Sequence, residues 1–147
     1  MYRRRLSDQA EANDRGIKER GRTVLVVDDE ASVREFVDRA LTFAGYRTVV
    51  ASDGPEALAI FEATGPFDLL VTDLRMPQMM GDELARQLRL ADPALKVLYL
   101  TGYSDELFRD RSTLWSDEAF LDKPQGVDAL LEAVSLLLFG NTHTAGA

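Results

Sequence analysis

Acidic side chains follow the first strongly apolar segment of the sequence without a break. In the stretch TVLVVDDE, residues 23–30, four apolar residues are followed by Asp28, Asp29 and Glu30. Like charges at the edge of a low-dielectric core repel, and at about 4 Å and an effective dielectric of about 20 each pair costs roughly 4 kcal/mol before relaxation. Either this segment ends harmlessly in water, or its carboxylates converge on a positive charge.

Later apolar segments also end in residues that could do chemistry. Asp73 ends FDLLVTD, Thr101 ends LKVLYLT and Lys123 follows EAFLD. A single Asp after a strand is usually a cap or turn residue, but the strands of one parallel sheet would bring all these ends to one edge. Oxygen ligands without nearby His or Cys favour Mg²⁺, with Mn²⁺ as the alternative, over Zn²⁺. We therefore predict a metal site formed by Asp28, Asp29 and Asp73.

The segments between these residues predict an α/β fold. Apolar strand-like stretches alternate with amphipathic helical ones, which is typical of a doubly wound parallel sheet with helices on both faces. In the clearest helix the apolar residues fall on one face; they are Val33, Phe36, Val37, Ala40, Leu41 and Ala44. Gly45 is placed to end this helix. Further helices are expected in residues 54–65, 81–93, 104–115 and 126–140.

Composition and charge limit the class of protein. The chain has 147 residues, 46% of them hydrophobic, and no Cys, which fits one globular domain without disulfides or thiolate metal sites. Residues 1–22 carry a net charge of +3 and are expected to be a flexible extension, whereas the rest carries −11. This acidic body argues against nucleic-acid binding. No signal peptide or membrane-spanning stretch is visible, so we expect a cytoplasmic protein.

Four motifs resemble those of the receiver domains of two-component response regulators. They are VLVVDDE, LLVTDLRMPQMMG, VLYLTGYS and AFLDKP, and the resemblance covers residues 23–139, leaving residues 140–147 as a disordered tail. It implies a flavodoxin-like fold, a five-stranded parallel sheet in the order 2-1-3-4-5. It also implies that the chain is a phosphoprotein that acts in two-component signal transduction. The chain would be either a single receiver, like the chemotaxis regulators, or the receiver domain of a hybrid histidine kinase.

The resemblance also implies a role for each site residue. Asp73 is the phosphoacceptor, and it ligates Mg²⁺ together with Asp29 and the backbone carbonyl of Arg75. Asp28 acts through metal-bound water. Three further residues act on the phosphoryl group and the response to it: Lys123 pairs with the phosphoryl oxygens, Thr101 hydrogen-bonds the attached group, and Phe120 is the switch aromatic. The Lys123–Pro124 peptide bond is expected to be cis.

The resemblance implies partners as well. The phosphoryl group would come from a histidine kinase, a histidine phosphotransfer protein of a phosphorelay, or a small phosphodonor, and the chain would have no enzyme activity beyond its own phosphorylation and dephosphorylation. The face formed by the fourth helix, fifth strand and fifth helix would then bind an unknown downstream protein. Apolar residues in or near that helix either pack on the sheet or form such a contact or a homodimer; they are Leu107, Phe108, Leu114 and Trp115.

Two other functions compete with this one. A haloacid-dehalogenase-like phosphatase needs a second Asp two residues after its nucleophile, where this chain has Arg75. The main alternative is a receiver-like interaction module that does not take phosphate.

The sequence departs from the family pattern at Met80, Gln125 and Phe120. Met80 removes a helix cap, and Phe120 replaces the commoner tyrosine. All three residues are expected to lie outside the acidic pocket.

Overall fold

Five parallel strands form the centre of the structure, a computed structural model that describes residues 21–101, 118–122 and 126–140. They are β1 (Thr23–Val27), β2 (Arg47–Ala51), β3 (Leu69–Thr72), β4 (Lys96–Thr101) and β5 (Glu118–Asp122). Their order is β2-β1-β3-β4-β5, and all four neighbouring pairs are parallel. The predicted fold class and strand order are therefore confirmed.

Four helices connect and follow these strands within the described residues. They are α1 (Ala31–Phe43), α2 (Gly54–Thr64), α3 (Gly81–Ala91) and α4 (Val127–Phe139). Among them no helix is long and apolar enough to cross a membrane. The helix predicted at 104–115, the Lys123–Pro124 bond, residues 1–20 and residues 141–147 lie outside the described part, so the predictions made for them stay predictions.

The core lies in two layers, one on each face of the sheet. Alternate residues of a strand point to opposite faces, so each central strand contributes to both layers and has a continuous apolar sequence. Leu25, Leu70 and Tyr99 pack in the layer that includes α2 and α3 residues, whereas Val26 and Leu98 pack in the layer that includes α1 and α4 residues. This double cover leaves the ends of the strands as the open edges.

The local signals at the helix ends agree with the structure. Gly45 follows α1 with a φ of 108°, the left-handed conformation that favours glycine. The Asp53 side chain caps α2 by accepting from the Glu56 amide at 2.9 Å. Met80 stands at the N-cap of α3 and makes no side-chain cap bond, as the sequence predicts.

Some apolar residues of the helices are exposed, and one of them, Phe36, belongs to the apolar face predicted for α1. Phe36 is 37% exposed and Val127 is 40% exposed. Phe36 lies about 100° around α1 from the buried Val37, at the rim of the apolar stripe, because successive helical residues are separated by that angle. Val127 is the first residue of α4 and stands at the end of that helix. The apolar face predicted for α1 is therefore buried at Val37, Ala40 and Leu41 but largely open at Phe36.

Candidate functional site

The ends of β1 and β3 bring two acidic residues side by side. Val27 pairs with Thr72 in the parallel register, so Asp28 and Asp73 both follow at the same level. The Asp73 amide donates to the Val27 carbonyl at 3.0 Å, which extends this pairing by one more bond. The sheet register itself therefore places the two carboxylates at one edge.

Three carboxylates meet at this edge. Asp28, Asp29 and Asp73 can each offer one oxygen such that all three oxygens lie within 4.8 Å of one another. Asp28 is 2% exposed and Asp73 is 5% exposed, whereas Asp29 is exposed to solvent. Buried carboxylates at such short range repel strongly, so the arrangement favours a bound cation.

The Asp73 side chain is oriented by its own loop. The Leu74 amide donates to Asp73 Oδ1 at 2.8 Å, and the Thr72 hydroxyl donates to the Asp73 carbonyl at 2.9 Å. The Gly81 amide donates to the Leu74 carbonyl at 2.7 Å, which brings the start of α3 against this backbone. The phosphoacceptor predicted from the sequence is thus a buried carboxylate with a fixed orientation.

The loop between β3 and α3 is tightly turned. Gln78 has a φ of 73°, and the Met79 amide donates to the Pro77 carbonyl at 2.8 Å, which makes a three-residue γ-turn. Met79 then packs on Gly54 so closely that a Cβ at Gly54 would lie 2.8 Å from the Met79 Cβ. Arg75 is exposed in this loop, two residues after Asp73.

The turn that carries Asp28 and Asp29 has its own hydrogen bonds. The Glu30 amide donates to Asp28 Oδ1 at 2.9 Å, and Arg34 donates from Nη1 to the Asp28 carbonyl at 2.7 Å. Arg34 was not among the residues that the sequence predicted for the site. The available signal was its position, in the first turn of the helix that follows the acidic stretch.

The donor set of the site fits a hard divalent cation. Carboxylate oxygens are the ligands that Mg²⁺ and Mn²⁺ prefer, and Mg²⁺ keeps several waters so that few protein ligands are needed. Oxygens separated by up to 4.8 Å suit a site in which one acid binds through water. The geometry therefore agrees with a metal site at Asp28, Asp29 and Asp73.

The other predicted site residues are described only in part. Thr101 ends β4, as predicted, but its side chain lies outside the described part of the structure, and so does Lys123. Phe120 lies in β5, paired with Tyr99, and it is half-buried against the core layer shared with α2 and α3. The roles given to these three residues stay predictions.

Comparison with known proteins gives one family. Residues 24–135 match the model of the response regulator receiver domain. The chain is 38% identical over 117 residues to the sensor kinase CckA of Brucella abortus, covering 79% of this chain and 12% of that protein. It is 37% identical over 124 residues to the response regulator MprA of Mycolicibacterium vanbaalenii, covering 84% of this chain and 53% of that protein. The chain thus spans a small part of the first relative and about half of the second.

Solved structures show the same likeness in three dimensions. The response regulator TrrA from Thermotoga maritima, in complex with Mg²⁺-BeF, is 35% identical with a TM-score of 0.70, over 80% of this chain and 99% of that one. The receiver domain from the hybrid histidine kinase CckA is 33% identical with a TM-score of 0.67, over 79% of this chain and 98% of that one.

Proposed function

Because this chain belongs to the response-regulator receiver-domain family of two-component signalling, we propose that Asp73 takes a phosphoryl group from a histidine kinase or a histidine phosphotransfer protein. One observation carries the proposal: the carboxylates of Asp28, Asp29 and Asp73 converge within 4.8 Å at the carboxyl ends of β1 and β3. Such an acidic cluster costs stability and has a clear use if it holds a cation beside a nucleophile.

The chemistry requires Asp73 to attack an anionic phosphorus centre. An Asp73 oxygen forms the new bond to phosphorus while the bond from phosphorus to the donor breaks, and the electron pair of that bond leaves with the donor. Phosphoryl transfer depends mainly on positioning and charge compensation, and the Leu74 amide holds the other Asp73 oxygen in place. Lys123 is proposed to supply one compensating charge.

Magnesium is the proposed cofactor, with Mn²⁺ as the alternative. When bound, it supplies positive charge that offsets repulsion between Asp73 and the phosphoryl oxygens. Asp29, Asp73 and the backbone carbonyl of Arg75 are proposed as direct ligands, with Asp28 acting through water. The complex of TrrA with Mg²⁺-BeF supports the same cation here.

The response to phosphorylation is proposed to run through β5. The attached group brings new negative charge and acceptor oxygens, which Thr101 and Lys123 would meet. Movement of Thr101 would open space for Phe120, which is half-buried beside Tyr99. The face formed by residues 104–115, β5 and α4 would then change its contacts with a downstream protein or with a second copy of the chain.

The proposed organisation and location follow the same reasoning. We propose that the receiver domain comprises residues 23–139, within which residues 24–135 match the family model. The cytoplasm is the proposed location, since a histidine kinase or phosphotransfer protein would have to reach Asp73 there. Enzyme activity is proposed to be limited to phosphorylation and dephosphorylation of the chain itself.

Intact-mass measurement tests the proposed acceptor. With Mg²⁺ and acetyl phosphate or carbamoyl phosphate, the wild-type chain should gain one phosphoryl group, and Asp73→Asn should gain none. Asp92→Asn is the matched control, because Asp92 ends α3 and lies outside the cluster, so this variant should be phosphorylated like wild type. A mass gain that survives in Asp73→Asn contradicts the acceptor, and a folded wild-type chain that gains nothing supports the interaction module instead.

A further inference from the structure

A side chain of α1 holds the acidic turn from outside. Arg34 donates from Nη1 to the backbone carbonyl of Asp28 at 2.7 Å. The Glu30 amide closes the same turn from inside by donating to Asp28 Oδ1 at 2.9 Å. Both bonds end on Asp28, so together they fix its carbonyl and its carboxylate, and with them the direction in which the chain continues to Asp29.

Arg34 is also within electrostatic reach of the neighbouring turn. The Asp28 amide donates to the Ala51 carbonyl at 3.2 Å, which joins the end of β1 to the end of β2. The pKa of Glu56, at the start of α2, is lowered chiefly by hydrogen bonds from Ser52 and in smaller part by the positive charge of Arg34. The half-buried guanidinium thus acts at the place where the two turns meet.

The two sides of the cluster are supported by different means. Asp73 is held by the Leu74 amide and by the bond from its own amide to the Val27 carbonyl. Asp29 is exposed, so its position follows from the backbone of its turn rather than from surrounding core. Any group that fixes this backbone therefore controls the distance between Asp29 and Asp73.

We propose that Arg34 is a positioning residue for the metal site. By holding the carbonyl of Asp28, it fixes where Asp29 stands relative to Asp73, and it makes no contact with the cation itself. The inference rests on the proposed function, since it takes the acidic cluster to be a magnesium site. Residues that orient metal ligands without binding the metal themselves contribute substantially to metal affinity in other proteins.

A positioning role and a purely electrostatic role predict opposite results. Arg34 brings a positive charge to the turn that carries Asp28 and Asp29, so removing that charge alone would strengthen the attraction of the acidic cluster for a cation. Removing the hydrogen bond instead frees the turn and displaces Asp29, which weakens cation binding. The sign of the change in Mg²⁺ affinity therefore separates the two roles.

Calorimetric titration with Mg²⁺ alone, at constant ionic strength, measures that sign. The full chain with Arg34→Gln should bind Mg²⁺ about tenfold more weakly than wild type. Arg39→Gln is the matched control, because Arg39 lies on the same helix and makes an exposed ion pair with Glu35 at 3.4 Å. It removes the same charge without touching the turn, and its affinity should stay within about twofold of wild type because exposed charges are screened.

Amide hydrogen exchange of the metal-free chain gives a second readout. In Arg34→Gln the Glu30 amide should exchange faster, whereas the Leu74 amide, held by Asp73 Oδ1 at 2.8 Å, should exchange at the wild-type rate. Equal or tighter Mg²⁺ binding by Arg34→Gln, or unchanged exchange at Glu30, would overturn the proposal.

A conservative variant keeps the test usable if Arg34→Gln does not fold. Arg34→Lys retains the charge but lacks the planar fork of the guanidinium, so its Mg²⁺ affinity should fall in the same direction. If Arg34→Lys binds Mg²⁺ as tightly as wild type, the guanidinium does not position the site. These Mg²⁺ titrations contain no phosphodonor. A wild-type chain that takes no phosphate would therefore contradict the proposed function but leave the comparison of Mg²⁺ affinities unchanged.

Discussion

Asp28 is 2% exposed and Asp73 is 5% exposed, whereas Asp29 beside them is exposed to solvent. Folding brings the three carboxylates within 4.8 Å, whereas the unfolded chain keeps Asp73 far from the other two. At the scale of the single residue, the cluster therefore opposes folding when no cation is bound. Its presence in a well-packed sheet edge agrees with selection for chemistry rather than for stability.

Asp29→Asn should stabilise the metal-free chain. The change removes one of the repelling charges, and we expect a gain of about 1 kcal/mol in the free energy of unfolding after solvent screening. With Mg²⁺ at ten times its dissociation constant, wild type should gain about 1.4 kcal/mol by mass action and the variant far less. Thermal melts in EDTA and then in Mg²⁺ measure both effects.

The control for this change is an exposed acid away from the cluster. Glu62→Gln on α2 removes the same charge and should leave stability nearly unchanged with or without Mg²⁺. If Asp29→Asn proves less stable than wild type in EDTA, Asp29 acts as a structural cap and the metal-site interpretation of this turn is wrong.

The start of α3 shows how one element sets the geometry of the site. A Cβ at Gly81 would lie 2.0 Å from the Asp73 carbonyl oxygen, closer than any side chain allows. The helix can therefore approach the backbone of Asp73, the proposed phosphoacceptor, only with glycine at this position. The position of Asp73 and the position of α3 are consequently coupled at the level of the backbone.

Gly81→Ala should displace α3 from the Asp73 loop. We expect the free energy of unfolding to fall by about 3 kcal/mol, the upper range for overpacking, and phosphorylation of Asp73 to slow. Gly126→Ala is the matched control. Gly126 is the N-cap residue of α4, and a Cβ there would meet nothing within 4 Å. Urea unfolding of both variants measures the difference; equal stability would show that the loop adapts without cost.

A buried polar network joins elements that are distant along the chain. Arg89 of α3 donates to Glu118 Oε2 of β5 at 3.1 Å and to the Leu95 carbonyl at 3.0 Å, and the Tyr99 hydroxyl of β4 donates to the same Glu118 oxygen at 3.2 Å. The Arg89 and Glu118 side chains are 8% and 2% exposed. At the scale of the whole molecule, this network connects β5, which carries Phe120, to α3 and β4.

Removing the cation of this network should be costly. Arg89→Met removes the cation that pairs with the buried Glu118 carboxylate, and we expect a loss of about 3–5 kcal/mol in the free energy of unfolding. Tyr99→Phe removes one hydrogen bond and should cost about 1 kcal/mol. Arg86→Met, which breaks an exposed pair with Glu83 on the same helix, should leave the urea midpoint close to wild type. If Arg89→Met matches that control, the buried pair contributes nothing to stability.

The sequence by itself determined the elements and the acids of the site. Strands buried on both faces need continuous apolar runs, and helices need apolar residues at helical spacing, so both are visible locally. Because the carboxyl ends of parallel strands lie at one edge of the sheet, the sequence alone predicts that Asp28 and Asp73 lie close together. The strand order came from the family resemblance, and the order seen in the structure agrees with it.

Only the tertiary structure decided which distant side chains meet. Glu118 and Arg89 are 29 positions apart, and neither a period nor a motif connects them. Arg34 contacts the turn of Asp28 through a bond to a backbone carbonyl, which residue type does not reveal. Phe36 fits the apolar spacing of α1 yet is 37% exposed, because it lies at the rim of the apolar stripe. Local periodicity specifies the face of an element, whereas contacts across the sheet depend on how all elements pack together.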